Sequence, residues 1–188
     1  MPRPDRRLLI SDAALELAAS GGTHALTHQA IDRHLDLPKG STSYYFRTRD
    51  ALIGAAADRL VAASRREFLE SVDSGKSALD LIADYAVTLV TTRRRDVLAR
   101  QALLLEPGLP TDVRSRLVGC LFSMEAATSL TTTLGEPEPD VAARELITVL
   151  EGVVFSHTQG VDARRAARSR RRIIRSLLVD VFPRLGAR

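Results

Sequence analysis

Residues 27–52 constrain the chain most strongly, because two short segments there flank the triplet Leu35-Asp36-Leu37. The first segment begins at Thr27, whose side chain can accept a backbone N–H as an N-cap. The second begins at Pro38, which suits a first helical position because the N–H that it lacks has no partner there. This stretch predicts two helices joined by a tight turn, with the second helix at about residues 38–45.

The second of these helices is too short to be stable by itself in water. It offers a cation, small hydroxyls and phenols instead of an apolar packing stripe: Lys39, Gly40, Ser41, Thr42, Ser43, Tyr44 and Tyr45. Such groups suit phosphates and the edges of nucleic acid bases. The sequence therefore predicts a polar binding surface on a helix that depends on its neighbours.

The rest of the chain also favours helix, since Leu, Ala, Arg and Glu dominate and aromatic residues make up 4% of it. Apolar residues at helical spacing, bounded by caps and by Gly or Pro, predict further helices. They lie at about residues 4–20, 48–72, 77–95, 96–106, 110–134, 140–157 and 162–182. We expect an all-α fold with about nine helices and no strand.

Several classes of protein are disfavoured. The lone cysteine, Cys120, excludes an internal disulfide framework and fits a reducing cytoplasm. The N-terminal segment has acids within its apolar part, which is untypical of a signal peptide, and no apolar run reaches the roughly 18 residues of a membrane span. The formal net charge of +4 is weak support for a nucleic acid partner. We expect a cytoplasmic protein that does not contact membranes.

An enzyme is not expected either. The four histidines lack metal-ligand spacing with a cysteine or an acid, and neither a glycine-rich phosphate loop nor a nucleophile elbow occurs. The sequence therefore predicts no catalytic residue, no metal and no cofactor.

The last two predicted helices show more apolar surface than a hairpin at the end of a chain should expose. Two copies that pack as a four-helix bundle would bury it. The predicted dimer interface consists of Ile147, Leu150, Val154, Ile174, Leu177, Leu178 and Val181. The alternative is that these faces cover the protomer's own core.

A ligand pocket is a further hypothesis for the middle of the chain. A few polar or polarisable side chains lie there among many Leu, Val and Ala residues, which suits an apolar cavity with polar anchors. They are Tyr85, Thr88, Gln101, Cys120, Ser123, Met124 and Thr128. Ordinary helix packing would produce the same composition.

The order of these elements resembles the TetR family of transcriptional regulators. The family pattern runs from a Thr-headed helix through a turn to an aromatic-x-Phe-x-Ser/Thr-Lys-x-x-Leu segment, and the resemblance covers about residues 5–60. The residues in register are Thr27, Ile31, Lys39, Gly40, Tyr44, Phe46, Thr48, Arg49 and Leu52. The departures are Asp32 for a small residue, Asp36 for the turn glycine, Pro38 for a capping serine, and Thr42-Ser43 for Leu-Tyr.

The resemblance implies a helix-turn-helix DNA-binding domain of three helices at residues 1–50. A long fourth helix would join it to a helical effector-binding and dimerisation domain at residues 51–188. The implied contacts with double-stranded operator DNA are Thr27, His28, Gln29, Lys39, Gly40, Ser41, Ser43, Tyr44, Tyr45 and Arg49.

We therefore expect a ligand-responsive one-component regulator, a repressor, that binds its operator as a homodimer. A small, mainly apolar effector would release it. The alternative is a helical small-molecule-binding protein or enzyme that does not bind an operator.

Overall fold

The computed structural model describes residues 5–72 and 75–186, without the side chains of residues 68–72 and 167–168. All regular elements in this part of the chain are helices, which confirms the predicted all-α class. They are α1 (Arg6–Ala25), α2 (His28–His34), α3 (Ser41–Tyr45), α4 (Arg49–Val72), α5 (Ala78–Val90), α6 (Arg94–Leu104), α7 (Thr111–Gly119), α8 (Met124–Thr133), α9 (Pro139–Thr158), α10 (Ala167–Val181) and α11 (Pro183–Gly186). None of these described helices is long and apolar enough to cross a membrane.

The eleven helices in these residues exceed the predicted nine, in part because the single helix expected at residues 110–134 is two. Ser123 separates them: its backbone is extended, and its hydroxyl oxygen accepts a hydrogen bond from the N–H of Ala126 at 3.2 Å. This is an N-cap, so a new helix begins instead of the old one continuing. The short α11 after Pro183 was also not predicted.

The first helix extends to Ala25 instead of ending near Ser20, yet Gly22 within it has φ 68° and is not helical. Gly22 thus interrupts the helix near its predicted end, and a last helical turn follows it. Glycine is the residue for this position because a Cβ would strain such a backbone.

Residues 5–65, together with residues 95–121, form one compact unit. In it α1 packs against α2, and α2 against α3. Its interior consists of leucine and isoleucine side chains that are at most 1% exposed: Ile10, Leu15, Leu26, Ile31, Leu52, Ile53, Leu60, Leu103 and Leu117. Each such side chain stabilises the fold by about 1.5–3 kcal/mol.

The described residues of 66–94 and residues 122–186 form the second compact unit. In it α9 packs against α8 and α5, and α10 packs against α5 and α11. Ion pairs also fasten α10 to α5, since Arg171 reaches both Asp80, at 3.0 Å, and Asp84, at 2.5 Å. The two compact units do not test the predicted division into a DNA-binding domain at residues 1–50 and an effector-binding domain at residues 51–188. That division stays a prediction.

Candidate functional site

The helix pair predicted from residues 27–52 is present as α2 and α3. Thr27 caps α2, because its hydroxyl oxygen accepts the N–H of Ala30 at 3.1 Å. The turn after α2 contains Asp36 at φ 50°, the left-handed conformation that glycine usually supplies. Since aspartate tolerates this region better than most residues, the substitution of the usual glycine is compatible with a tight turn.

The second helix of the pair begins at Ser41, three residues later than predicted. Pro38 belongs to the preceding turn, in which its carbonyl oxygen accepts the N–H of Ser41 at 3.0 Å. Gly40 then takes a left-handed conformation, φ 92°, which is not helical, and is the N-cap residue of α3. The helix that we expect to contact DNA therefore has only five residues.

Asp32 supplies the N-terminal cap of α3 from the neighbouring helix α2. One carboxylate oxygen accepts the N–H of Gly40 at 2.7 Å, and the other accepts the N–H of Thr42 at 2.8 Å and its hydroxyl at 2.6 Å. Asp32 is 4% exposed and Thr42 is fully buried. Asp32, which replaces a small residue of the TetR pattern, is thus enclosed by the N–H and O–H donors of Gly40 and Thr42.

The protonation of Asp32 follows from these contacts. Burial by itself would raise the pKa of its carboxyl group, but the hydrogen bonds from Thr42 and Gly40 outweigh burial and lower the pKa below the ordinary value of 3.8. The nearby His28 lowers the pKa of Asp32 further. Asp32 is therefore a buried carboxylate, charged at neutral pH.

The exposed polar side chains of this region form one group of candidate DNA contacts. Tyr44 is 81% exposed, and its ring meets that of Tyr45 edge to face at 5.2 Å between centroids. The other predicted residues that are exposed are Thr27, Gln29, Lys39, Gly40 and Ser43. They lie on α2, on the turn before α3 and on α3 itself.

Two further predicted contacts are half-buried and make hydrogen bonds within the protein. A ring nitrogen of His28, Nε2, lies 2.7 Å from the carbonyl oxygen of Phe46. The hydroxyl of Ser41 donates to the carbonyl oxygen of Pro38 at 2.6 Å. Ser41 can still accept a hydrogen bond, whereas His28 has a structural role that the sequence did not predict.

Arg49 is directed into the protein. Its guanidinium makes two hydrogen bonds to Glu106, at 2.9 and 3.2 Å, and donates to the carbonyl oxygens of Leu26 and Thr23. The Arg49 hydrogen bonds are the largest cause of a lowered pKa for Glu106. To contact a phosphate as predicted, Arg49 would have to leave this network.

Sequence reasoning missed Arg33 on α2 and Arg47 between α3 and α4, both of which are exposed. It also missed a signal about Arg49, which lies three and four residues before Leu52 and Ile53. Both of those side chains are fully buried. Residues at this spacing share a helix face, so α4 turns Arg49 toward the interior and leaves Arg47 outside.

The seven predicted ligand residues are divided between the two units. Gln101 and Cys120 belong to the first, and Tyr85, Thr88, Ser123, Met124 and Thr128 belong to the second. In the second unit the rings of Tyr85 and Phe122 meet edge to face at 6.0 Å. The hydroxyls there make local bonds: Ser123 caps α8, Thr88 donates to a carbonyl oxygen of its own helix, and Thr128 donates to Asp140 at 3.1 Å.

The predicted dimer interface requires a correction. Leu150, Val154, Ile174 and Leu178 are at most 5% exposed and belong to the interior of the protomer. Leu177 and Val181 are 38% and 45% exposed, and Ile147 is half-buried. One apolar stripe therefore covers the protomer's own core and another stays outside, and the dimer interface itself stays a prediction.

The exposed stripe borders an apolar cleft of about 320 Å³ between α9 and α10. Gly152 lines this cleft. Phe155, three residues after Gly152 on α9, is 55% exposed. The residues that line it are Val149, Gly152, Val153, Ser156, His157, Asp162, Ile173, Ile174, Leu177 and Val181. The cleft involves none of the seven predicted ligand residues.

His157 in this cleft is 2% exposed, and its Nδ1 has no hydrogen-bond partner in the described part of the chain. Burial lowers the pKa of His157 below the ordinary value of 6.5, and attraction by Asp162 offsets only part of that effect. The histidine is therefore neutral in the folded protein at neutral pH.

This burial predicts a pH dependence of stability. Between the lowered folded pKa and 6.5 the unfolded chain binds more protons, so the contribution of His157 is fully present above pH 6.5 and is lost as the pH falls below it. Denaturant titrations at several pH values between 5 and 8 should show that His157→Leu flattens this dependence. Equal pH profiles for the variant and the wild type would contradict the assignment.

Two family models match the chain. One, described as "Bacterial regulatory proteins, tetR family", matches residues 10–56, and the other, "Tetracyclin repressor-like, C-terminal domain", matches residues 73–184. The second match alone covers more than half of the chain. With the all-helical fold and the helix-turn-helix described above, these matches show that the chain belongs to the TetR family of transcriptional regulators.

Solved structures agree with this assignment. A TetR-family member from Streptomyces coelicolor is 25% identical, with TM-score 0.68, over 93% of this chain and 98% of that chain. The multidrug binding protein EbrR complexed with malachite green is also 25% identical, with TM-score 0.63 over the same shares. A TetR-family regulator from Rhodococcus sp. has TM-score 0.70 at 17% identity, over 94% of this chain and 97% of that chain, which supports the fold alone. A search of curated proteins finds no match.

Proposed function

We propose that this TetR-family regulator is a repressor that binds operator DNA as a homodimer and is released by a small, mainly apolar effector. The observation that carries this proposal is the five-residue helix α3, whose buried side is fixed by Asp32 while Lys39, Ser43 and Tyr44 are exposed at and just before it. A helix of this kind is suited to the major groove, where cations, hydroxyls and phenols can meet phosphates and base edges.

The proposed DNA contacts differ in the part of the duplex that they meet. We assign base contacts to Lys39, Gly40 and Ser41, and contacts with the groove wall and phosphates to Ser43, Tyr44 and Tyr45. Thr27 and Gln29 would lie at the flanking backbone. Arg47 is exposed, whereas Arg49 is paired with Glu106. We therefore assign the phosphate contact near the start of α4 to Arg47.

The dimer is proposed to form through the exposed stripe of α9 and α10. Phe155, Leu177 and Val181 remain accessible there, beside the apolar cleft. A homodimer with twofold symmetry would bury this stripe against its copy and would bring two reading helices to two half-sites.

The effector is proposed from the family and from composition. EbrR has been solved with malachite green and with ethidium, both of them aromatic. We propose a ligand of similar character for the second unit of this chain, with Tyr85 and Met124 among its contacts. Its regulatory effect requires different affinities for the DNA-bound and free states.

Operator binding can be tested directly. Genomic fragments selected on the immobilised protein should be retarded by it in gels, and the affinity should fall steeply as salt rises, because phosphate contacts release counterions. Lys39→Ala should weaken binding to the selected operator by about 1–3 kcal/mol and relax its sequence preference.

Two outcomes would count against this function. If no genomic fragment is retarded at low salt, operator binding is wrong and the alternative, a helical small-molecule-binding protein, gains ground. If Lys39→Ala binds the operator as tightly as the wild type, the placing of Lys39 at a base is wrong. Lys76→Ala, at an exposed lysine in the second unit, is the matched control.

A further inference from the structure

The strongest unassigned feature is the buried pair of Asp32 and Thr42 between α2 and α3. Three hydrogen bonds converge on one carboxylate, with donor-acceptor distances of 2.7, 2.8 and 2.6 Å. All three donors belong to Gly40 and Thr42, at the start of α3. The contact therefore joins the two helices at the point where the second one begins.

The helix α3 needs such a contact more than a longer helix would. It has five residues, and its N-cap residue Gly40 has no side chain with which to satisfy the free N–H groups of the first turn. Asp32, eight to ten residues earlier, satisfies two of these N–H groups. Because the carboxylate binds through both oxygens, it fixes the orientation of α3 as well as its start.

The same pair is not available to DNA. Asp32 is 4% exposed and Thr42 is fully buried, so a ligand on the surface of α3 would meet neither. The nearby His28 would itself favour the charged carboxylate. Asp32 thus acts on the exposed side chains of α3 only through the position of the helix.

We infer that Asp32 and Thr42 form a latch that positions the reading helix α3 for its operator, although neither residue touches DNA. The inference rests on the proposed operator binding. It makes Asp32 a positioning residue whose charge favours binding.

Charge repulsion makes the opposite prediction. An acid that faced the phosphates would weaken binding, and its removal would tighten the complex. With the latch, removal of the same charge loosens the complex, because a neutral amide offers the three donors of Gly40 and Thr42 one acceptor oxygen instead of two charged ones. The sign of the change therefore decides between the two.

The test uses Asp32→Asn and Thr42→Val, with Asp36→Asn as the matched control. Asp36 is exposed, its neutralisation removes one charge from the same motif, and asparagine tolerates its φ of 50°. Operator affinity should fall about tenfold or more for Asp32→Asn and severalfold for Thr42→Val, while Asp36→Asn should bind at least as tightly as the wild type. Each titration is made at a temperature where circular dichroism shows the variant folded.

Two readouts separate positioning from stability alone. The ratio of affinities for the operator and for a one-base variant should fall in Asp32→Asn, while the dependence of binding on salt stays unchanged because no phosphate contact is lost. In the double variant Asp32→Asn/Thr42→Val, the second substitution should cost less than it does in the wild type, since the neutral amide accepts from the hydroxyl more weakly than the carboxylate does.

Amide hydrogen exchange gives a readout that does not need DNA. At least one of the N–H groups of Gly40 and Thr42 should exchange about tenfold faster in Asp32→Asn, because asparagine keeps an acceptor for only one of the two sites, whereas the N–H of Ala30, capped by Thr27, should not change. The latch is overturned if folded Asp32→Asn binds its operator as well as the wild type does, or if its two amides keep their protection. A wild type that binds no DNA would overturn the proposed function, and unchanged variants of a wild type that does bind would overturn the latch alone.

Discussion

The Leu177→Arg variant is expected to be monomeric at micromolar concentration. Its affinity for the operator should be lower than that of the wild type by about a hundredfold or more. Leu177 is 38% exposed on α10, beside the cleft that Val181 and Gly152 also line. In the proposed dimer it would be buried, and an arginine there would place an unpaired charge in an apolar interface.

The loss of affinity follows from the loss of the second reading head. Two linked heads bind with an effective concentration that a single head lacks, so the dimer can exceed the monomer in affinity by about two to four orders of magnitude. Light scattering gives the mass, and operator titration gives the affinity.

The matched control is Leu105→Arg. Leu105 is 83% exposed in the turn after α6, so the same substitution there should change neither the mass nor operator binding. A dimer mass for Leu177→Arg would refute the proposed interface. A monomer that keeps full operator affinity would refute the requirement for two heads.

The Arg49→Ala variant is expected to lose about 1–3 kcal/mol of free energy of unfolding. The substitution removes a bidentate ion pair and leaves Glu106, whose side chain is 17% exposed, without this partner. It also removes the donors to the carbonyl oxygens of Leu26 and Thr23. Arg49 thus holds α4 to the end of α1, and denaturant unfolding measures its contribution.

Arg47→Ala should show the opposite profile. Arg47 is exposed, so its removal should change the free energy of unfolding by less than about 0.5 kcal/mol. Operator affinity should fall for all sequences alike, and the slope of log affinity against log salt should decrease by about one. If Arg49→Ala instead keeps the full free energy of unfolding and lowers the slope of log affinity against log salt, then Arg49 and not Arg47 contacts the phosphate.

The sequence predicted the helix-turn-helix well because the signals that define it are local. The Thr27 cap, the tight turn at Asp36 and the polar composition of α3 each depend on neighbouring residues. The start of α3 was misplaced because proline fits a first helical position and a turn equally well. The left-handed Gly40 decided between them.

The role of Asp32 could not be predicted, because its partners lie eight and ten residues away on the next helix. An acid near a DNA-binding surface suggests repulsion until burial is known. Arg49 is different: its spacing from Leu52 and Ile53 already places it on the buried face of α4.

The proposed dimer face shows a further limit of prediction from the sequence. Periodicity shows that α9 and α10 are apolar over a wide arc, but it does not show which part of the arc meets the protomer's own core. Leu150 and Ile174 are buried within the protomer, whereas Phe155 and Leu177 are exposed. That choice is made by the packing of α9 on α8 and α5, which the sequence does not state.

The residues that hold α3 in place and those that it displays are separate sets. Asp32, Thr42 and Phe46 are buried, whereas Lys39, Ser43 and Tyr44 are exposed and add little to the fold. Mutations at the displayed positions can therefore accumulate without unfolding the protein. A library randomised at these three positions should retain stability in most members while its preferred DNA sequences diverge, so this reading helix can acquire new targets through few substitutions.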